Sequence, residues 1–225
     1  MHFGLILLSL IMSEGTRLEA SGDFTGAGRA YYEEGDLAGE VRILTRFIEE
    51  SLYSGNSVHA FDLIRQVENL PLETGCIDFW YARLAWSCGL PEYSCAALDS
   101  VDGSPWLEMR AAGLASLFRG DPDEAVELFA GSMELAGSAR QKYYSALDLS
   151  FALVSARRFE EAEEIAVLLS GGFPGEGLPL AALALSMQGQ GRFGQAMAVL
   201  ESVYTSSQYS FISRDFARSL MEDLE

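Results

Sequence analysis

Positive charge is scarce in this sequence. The 225 residues include 15 Lys and Arg against 33 Asp and Glu, which gives a formal net charge of −18 at pH 7. Lysine is almost absent, since Lys142 is its single occurrence. Nucleic acid and anionic lipid surfaces repel a chain this acidic, so neither is expected as a partner unless the arginines are concentrated in one place.

Cysteine and histidine are too few for a disulfide framework or a zinc site. The three cysteines are Cys76, Cys88 and Cys95, an odd number that includes no Cys-x-x-Cys pair. A Cys88–Cys95 disulfide stays open, provided that the two segments fold back on each other. His59 is the only histidine away from the N-terminus, so we expect no metal site and no cofactor.

Long apolar runs are limited to the N-terminus. The run from Phe3 to Met12 is shorter than the roughly 20 residues that a membrane-spanning helix needs, so no stable span is predicted. Two interpretations of residues 1–15 stay open: a secretory signal peptide with small residues around its cleavage site, or the first buried helix of the fold. The compartment depends on this choice: cytoplasmic, or bacterial periplasm or cell envelope if residues 1–15 are a signal peptide.

Groups arranged for catalysis are also lacking. Nucleophilic catalysis needs a base within hydrogen-bond reach, and His59 lies beside a predicted turn. Paired carboxylates such as Glu160-Glu161 fall on helix faces and at helix starts, where solvated charge is ordinary. The Gly-rich residues 170–177 follow no predicted strand and include no lysine, which indicates a flexible turn and not a phosphate-binding loop. We therefore predict that the chain is not an enzyme.

What the sequence does contain is a helix-turn-helix pattern, clearest at residues 109–135. Apolar and small residues recur at helical spacing on both sides of a short polar segment. Gly120 suits a helix end with positive φ, Asp121 suits the cap of the next helix, and Pro122 suits its first turn. The small residues Gly113 and Ala125 would let the two helices approach closely.

The same pattern recurs along most of the chain. A small residue opens the second helix of each of six copies, and successive copies lie 31 to 37 residues apart. These marker residues are Ala27, Ala60, Ser94, Ala125, Ala162 and Ala196. One period held over the whole series favours a repeat architecture over a generic helical bundle.

Helix pairs with a period of about 34 residues resemble the tetratricopeptide repeat family. The resemblance covers nearly the whole chain, and its motif is a small residue in the first helix, then Ala, then an aromatic residue four positions later, then Pro. The matching residues are Gly15, Ala27 and Tyr31 in the first copy, Gly113, Ala125 and Phe129 in the fourth, and Ala162 and Pro174 in the fifth. No copy carries the full family pattern, and the Trp of the first helix is missing throughout.

The resemblance implies an all-α fold, a right-handed superhelical solenoid of about six antiparallel helix pairs. The solenoid would cover residues 16–209. Residues 210–225 would form an amphipathic capping helix, which solenoids need to close their exposed core.

In repeats of this kind, the first helices of the pairs line a concave groove, and the repeat register predicts which residues face it. Basic residues are scarce, yet Arg42, Arg83 and Arg110 fall on this face in consecutive units. Arg can hold a carboxylate with two hydrogen bonds, and aromatic residues supply buried area. The predicted partner-binding residues are Arg42, Tyr53, Phe79, Arg83, Trp86, Arg110, Phe118, Tyr144 and Phe151. The alternative is that the aromatic residues are inter-helix core and that the arginines are solvated or paired with Glu.

The resemblance therefore implies a non-catalytic scaffold that binds a protein or peptide with apolar and acidic groups in its concave groove. The alternatives are a structural homo-oligomer, or an accessory subunit of an enzyme or of a cell-envelope assembly. Some family members clamp a terminal carboxylate with Lys and Asn. Those residues are not found at the matching positions here, so that function is not carried over.

Overall fold

The computed structural model describes residues 13–224, and this part of the chain consists of thirteen α-helices and their connections. The helices are α1 (Glu14–Ser21), α2 (Phe24–Glu34), α3 (Leu37–Tyr53), α4 (Ser57–Val67), α5 (Cys76–Ser87), α6 (Pro91–Asp99), α7 (Pro105–Arg119), α8 (Pro122–Leu135), α9 (Ala139–Ser155), α10 (Phe159–Gly172), α11 (Leu178–Gly189), α12 (Phe193–Thr205) and α13 (Phe211–Glu222). The choice between a signal peptide and a buried helix falls mainly on residues 1–12, which lie outside the described residues.

The helices pack as successive antiparallel pairs, from α1 with α2 to α11 with α12, and α13 packs on α12. All six marker residues predicted from the repeat period are fully buried, with an exposed fraction of 0%. Because each marker opens the second helix of a pair, its small side chain sits where that helix meets its neighbours. The all-α prediction is confirmed, and the helices are compatible with six pairs followed by a capping helix.

Each pair turns through one residue with a positive φ. Five of the six turns have glycine there, with φ between 71° and 87°, at Gly22, Gly55, Gly89, Gly120 and Gly191. Glycine has no Cβ and so adopts this conformation without the usual steric cost. The fifth pair has Arg157 at the same place, with φ of 61°.

The best-matching fourth copy, α7 with α8, shows why small residues recur in the motif. A Cβ placed on Gly113 would lie 2.7 Å from the Phe129 ring, so only glycine allows this approach of the two helices. At the start of α8, the Asp121 carboxylate accepts a hydrogen bond from the Glu124 amide at 3.1 Å, and Pro122 occupies the first turn. The predicted turn and cap are both confirmed.

The superhelix also closes on itself. Helix α13 packs directly against α3, and the α10–α11 connection reaches the same helix, where Arg46 Nη2 donates to the Gly175 carbonyl at 2.9 Å. The odd-numbered helices therefore face one another across a narrow interior instead of lining a wide open groove. Among the helices of residues 13–224, none has both the length and the apolar character needed to cross a bilayer.

Candidate functional site

A cluster of buried charges fills the middle of the inner face. Helices α3, α5, α7 and α9 contribute the members of this inner cluster, which are Glu49, Tyr53, Arg83, Arg110 and Asp148. Arg110 is 1% exposed; its Nη2 lies 2.9 Å from Glu49 Oε2 and its Nε lies 2.5 Å from Asp148 Oδ2. Arg83 Nη1 lies 2.5 Å from the same Glu49 oxygen. The negative charges of two carboxylates thus balance the positive charges of two guanidinium groups inside the protein.

Neutral side chains donate further hydrogen bonds to the two carboxylates of the inner cluster. The Trp80 indole donates to Glu49 Oε1 at 2.9 Å, and the Tyr53 hydroxyl donates to Asp148 Oδ1. Burial opposes ionisation of Glu49, but the charges of Arg110 and Arg83 outweigh it and lower the pKa of this carboxyl to about 2. A buried ion cluster whose carboxylates are all paired and hydrogen-bonded fixes the relative positions of the helices that supply it.

A second buried cluster joins α3 to the C-terminal part of the chain. This closing cluster consists of Arg46, Glu50, Arg140, Glu176 and Ser210. Arg46 lies 3.0 Å from Glu50 and 3.2 Å from Glu176, and Arg140 approaches Glu176 to 2.5 Å. The Ser210 hydroxyl, at the N-cap of α13, donates to the second oxygen of Glu50. Burial raises the pKa of Glu50, although Arg46 opposes the shift.

An open cavity of about 490 Å³ adjoins the inner cluster at the C-terminal ends of α3, α5, α7 and α9. We call it the inner cavity. The Trp86 and Phe118 rings stack beside it with their centroids 4.0 Å apart and their planes 8° apart. The Tyr53 and Phe151 rings stack across it at 5.4 Å. Its residues are Leu52, Tyr53, Gly55, Arg83, Trp86, Ser87, Leu114, Leu117, Phe118, Asp148 and Phe151.

Five of the nine residues predicted from the repeat register meet in the inner cavity: Tyr53, Arg83, Trp86, Phe118 and Phe151. Trp86 is the most open of them, with 37% of its surface exposed. Arg83 is 5% exposed, and of its guanidinium nitrogens only Nη1 donates a hydrogen bond within residues 13–224. The cavity therefore combines aromatic walls with a buried cation.

The other four predicted residues lie elsewhere. Phe79, Arg110 and Tyr144 are buried, which corrects the expectation that they are displayed on an open groove. Their burial follows from the closure of the superhelix, and it agrees with the alternative of core packing and pairing with carboxylates. Arg42 is exposed and paired with Glu19 at 2.7 Å, next to the first helix pair and away from the inner cavity.

The acidic partners in these clusters were not singled out from the sequence. Glu49 and Glu50 are adjacent carboxylates of the kind that is ordinarily solvated on a helix face, yet both are buried. Asp148 is a lone acid in an apolar helical stretch, which is a signal for a buried ion pair. Glu176 lies in the Gly-rich stretch predicted as a flexible turn. In the structure, α10 continues to Gly172 and Glu176 is buried.

The remaining histidine and cysteine side chains of the described residues make packing contacts or are unpaired. Within residues 13–224, His, Cys, Asp and Glu form no group of three or more that could hold a metal ion. His59 Nδ1 lies 2.8 Å from the Ser51 hydroxyl, and its ring packs edge-on against Phe211. The cysteines Cys76, Cys88 and Cys95 are free.

Comparisons with known proteins identify the fold. No protein-family model matches the chain, and no curated protein sequence matches it. A chain of the APC/C hetero-tetramer Cut9–Hcn1 is similar in structure, with a TM-score of 0.52 and 12% identity over 92% of this chain. The match covers 46% of that chain, so this protein spans about half of its length.

Two further structures are similar over most of this chain. One contains nearly identical TPR-like repeats from Podosopora anserina, with a TM-score of 0.44 and 17% identity over 94% of this chain and 99% of that one. The other is the P58(IPK) TPR domain, with a TM-score of 0.40 and 12% identity over 92% of this chain and 67% of that one. The chain has the fold of a tetratricopeptide-like helical repeat, as predicted.

Proposed function

We propose that this protein is a non-catalytic interaction scaffold that binds a peptide segment of another protein in the inner cavity. The peptide would place an apolar side chain against the Trp86–Phe118 stack and a carboxylate against Arg83. The closed superhelix would hold the helices that line the inner cavity in fixed positions. The chain of the Cut9–Hcn1 hetero-tetramer, which has a similar fold, also assembles with another protein.

One observation carries the proposal: a buried guanidinium with unused donors lines an aromatic cavity. Arg83 pairs with Glu49 through Nη1 alone, while its guanidinium also lies 4.6 Å from the centroid of the Tyr53 ring. The nearby Asp148 carboxylate would repel an acidic ligand if it were unpaired, but it is held by Arg110 and Tyr53. A ligand carboxylate would therefore meet an oriented cation that is itself 5% exposed, where a charge-assisted hydrogen bond is stronger than in bulk water.

The test is selection of peptides from a random displayed library on the purified protein, followed by affinity measurements on the enriched sequences. We expect a consensus that combines an acidic residue with an aromatic or aliphatic one. Trp86→Ala should weaken binding about tenfold or more, because it removes a central aromatic anchor. Tyr32→Ala is the matched control, since Tyr32 is an exposed aromatic residue on α2 away from the inner cavity.

Two results would contradict the proposal. One is an enriched consensus without an acidic residue, which would remove the role of Arg83. The other is equal affinity of the enriched peptides for Trp86→Ala and the unmodified protein, which would place binding elsewhere on the molecule.

A further inference from the structure

The opposite face of α5 carries a second open groove of about 490 Å³, which we call the outer groove. Helix α5 forms its floor, α4 forms one wall and α6 forms the other. It is lined by Phe61 from α4, by Asp78, Tyr81, Ala82, Leu84, Ala85 and Cys88 from α5 and its end, and by Leu90, Tyr93, Ala97 and Ser100 around α6. None of these residues lines the inner cavity.

Large apolar side chains stand exposed on both sides of the outer groove. Phe61 is 46% exposed on the α4 wall, and Leu90 and Tyr93 are 56% and 64% exposed on the α6 side. Phe61 and Tyr81 lie side by side, with ring centroids 6.4 Å apart. A contiguous exposed apolar surface of this kind marks an interaction site more often than scattered single residues do.

An acidic side chain without an internal partner lines the outer groove. Asp78 lines the groove, and Asp62 and Glu92 are exposed next to its two aromatic walls. None of these three carboxylates makes a side-chain hydrogen bond or ion pair within residues 13–224, whereas Glu68 pairs nearby with Arg65 at 3.2 Å. The outer groove is therefore apolar with one unpaired carboxylate in its lining, and two further unpaired carboxylates lie on the helices that form its walls.

The length of the groove fits a short helix. The lining runs along α5 from Asp78 to Cys88, a distance of about 15 Å at the rise of an α-helix, which corresponds to about three turns of a helix laid beside it. Binding of the apolar face of an amphipathic helix in a groove between helices is a common form of protein recognition. A second copy of this chain fits poorly, because two chains of net charge −18 repel each other.

We propose that the outer groove binds a basic amphipathic helix of another protein. The apolar face of that helix packs between Phe61 and Tyr93, and a Lys or Arg side chain at its edge pairs with Asp78. This surface shares no lining residue with the inner cavity.

The test uses a fluorescein-labelled peptide of leucine and lysine, about 14 residues long and patterned as an amphipathic helix, which gives a helix of about 20 Å. Fluorescence anisotropy measures its affinity for the full chain at physiological ionic strength. Phe61→Ala and Tyr93→Ala should each weaken binding about tenfold. Asp78→Asn should weaken it about threefold and reduce its dependence on salt, because one charge pair is lost.

Matched controls separate the outer groove from general charge attraction and from the inner cavity. A scrambled peptide of the same composition, which has no apolar face, should bind at least about tenfold more weakly. Tyr32→Ala and Trp86→Ala should leave the affinity unchanged, since both residues lie outside the outer groove. Circular dichroism and thermal unfolding of each variant establish that it is folded.

Four results would overturn the inference. The first is an affinity unchanged in both Phe61→Ala and Tyr93→Ala. The second is equally tight binding of the scrambled peptide, which would show attraction to the net charge alone. The third is a protein dimer in sedimentation velocity that Tyr93→Ala converts to monomer, because a second copy would then occupy the groove. The fourth is loss of binding in Trp86→Ala alone, which would assign this peptide to the inner cavity.

Discussion

At the scale of single residues, the repeat turns show how much one backbone position contributes. Five turns use glycine in the left-handed conformation, and the turn between α9 and α10 places Arg157 in it. A residue with a Cβ pays about 1–2 kcal/mol for this conformation. The Arg157 side chain is exposed and makes no ion pair within residues 13–224, so nothing in its contacts offsets that cost.

We predict that Arg157→Gly raises the free energy of unfolding by about 0.5–1 kcal/mol, the relief of strain less the extra entropy of glycine in the unfolded chain. Urea denaturation measures the change. Ala156→Gly is the control, because Ala156 has an ordinary helical φ of −74° and should lose stability. An Arg157→Gly variant no more stable than the unmodified protein would contradict this account of the turns.

Residue-level features of the repeat were largely predictable from the sequence, because they depend on near neighbours in the chain. Asp121 and Pro122 act within one turn of the residues that they cap. Gly113 and Phe129 meet because the two helices of one pair are joined by a short turn. The six buried markers follow from the same local geometry.

At the scale of helices, the contact of α3 with α13 and with the α10–α11 connection decides the shape of the interior. Glu176 is buried beside Arg46, and it also pairs with the half-buried Arg140. Arg46 and Glu176 are 130 positions apart in the chain, and no repeat period relates them. Sequence periodicity therefore predicted the helix pairs but not the closure of the superhelix. The composition of residues 170–177 indicated only a loop.

We predict that Glu176→Gln lowers the free energy of unfolding by about 1–3 kcal/mol, because the buried Arg46 loses one of its two carboxylate partners and the half-buried Arg140 loses its ion pair. Thermal unfolding and urea denaturation measure the loss. Glu161→Gln is the control: Glu161 forms an exposed pair with Arg158 at 2.7 Å, so its replacement should change stability little. Equal effects of the two substitutions would show that the closing cluster does not hold the superhelix together.

At the scale of the whole molecule, the protein is strongly acidic, but each of its two internal charge clusters is neutral. The inner cluster and the closing cluster each contain two acids and two arginines, so the surface carries the excess negative charge. Composition indicated that the few arginines are special, and their register placed Arg83 and Arg110 on the inner face. The register did not distinguish an arginine that is available to a ligand from one that is paired with an internal carboxylate. That difference depends on how tightly the superhelix winds.

The inner cluster also sets a dependence of stability on pH. The pKa of Glu49 is lowered from 4.5 to about 2 in the folded protein, so folding favours its ionised form. Its contribution to stability is fully present above pH 4.5 and is lost as the pH falls towards 2. Glu50 acts in the opposite sense: its raised pKa means that the folded state takes up its proton first, which offsets part of the loss.

We predict that Glu49→Gln is less stable than the unmodified protein at neutral pH and that the difference narrows as the pH falls from 4.5 towards 2. Urea denaturation across this range measures both curves. The exposed Glu161→Gln variant provides the comparison, since it leaves the interior charges intact. Curves for Glu49→Gln and the unmodified protein that stay parallel to the lowest pH would mean that Glu49 is not ionised between the two arginines.

Arg110 is held inside the superhelix by Glu49 and Asp148, and the closed interior depends on these pairs. Arginine side-chain NMR tests this most directly, with the Arg110 Nε–H signal assigned by its disappearance in Arg110→Lys. Because this group donates to a buried carboxylate, we predict a resolved signal whose hydrogen exchange is far slower than that of the exposed Arg17. An Arg110 signal that exchanges with solvent as fast as Arg17 would show an open groove with a free cation, and would contradict the closed interior described above.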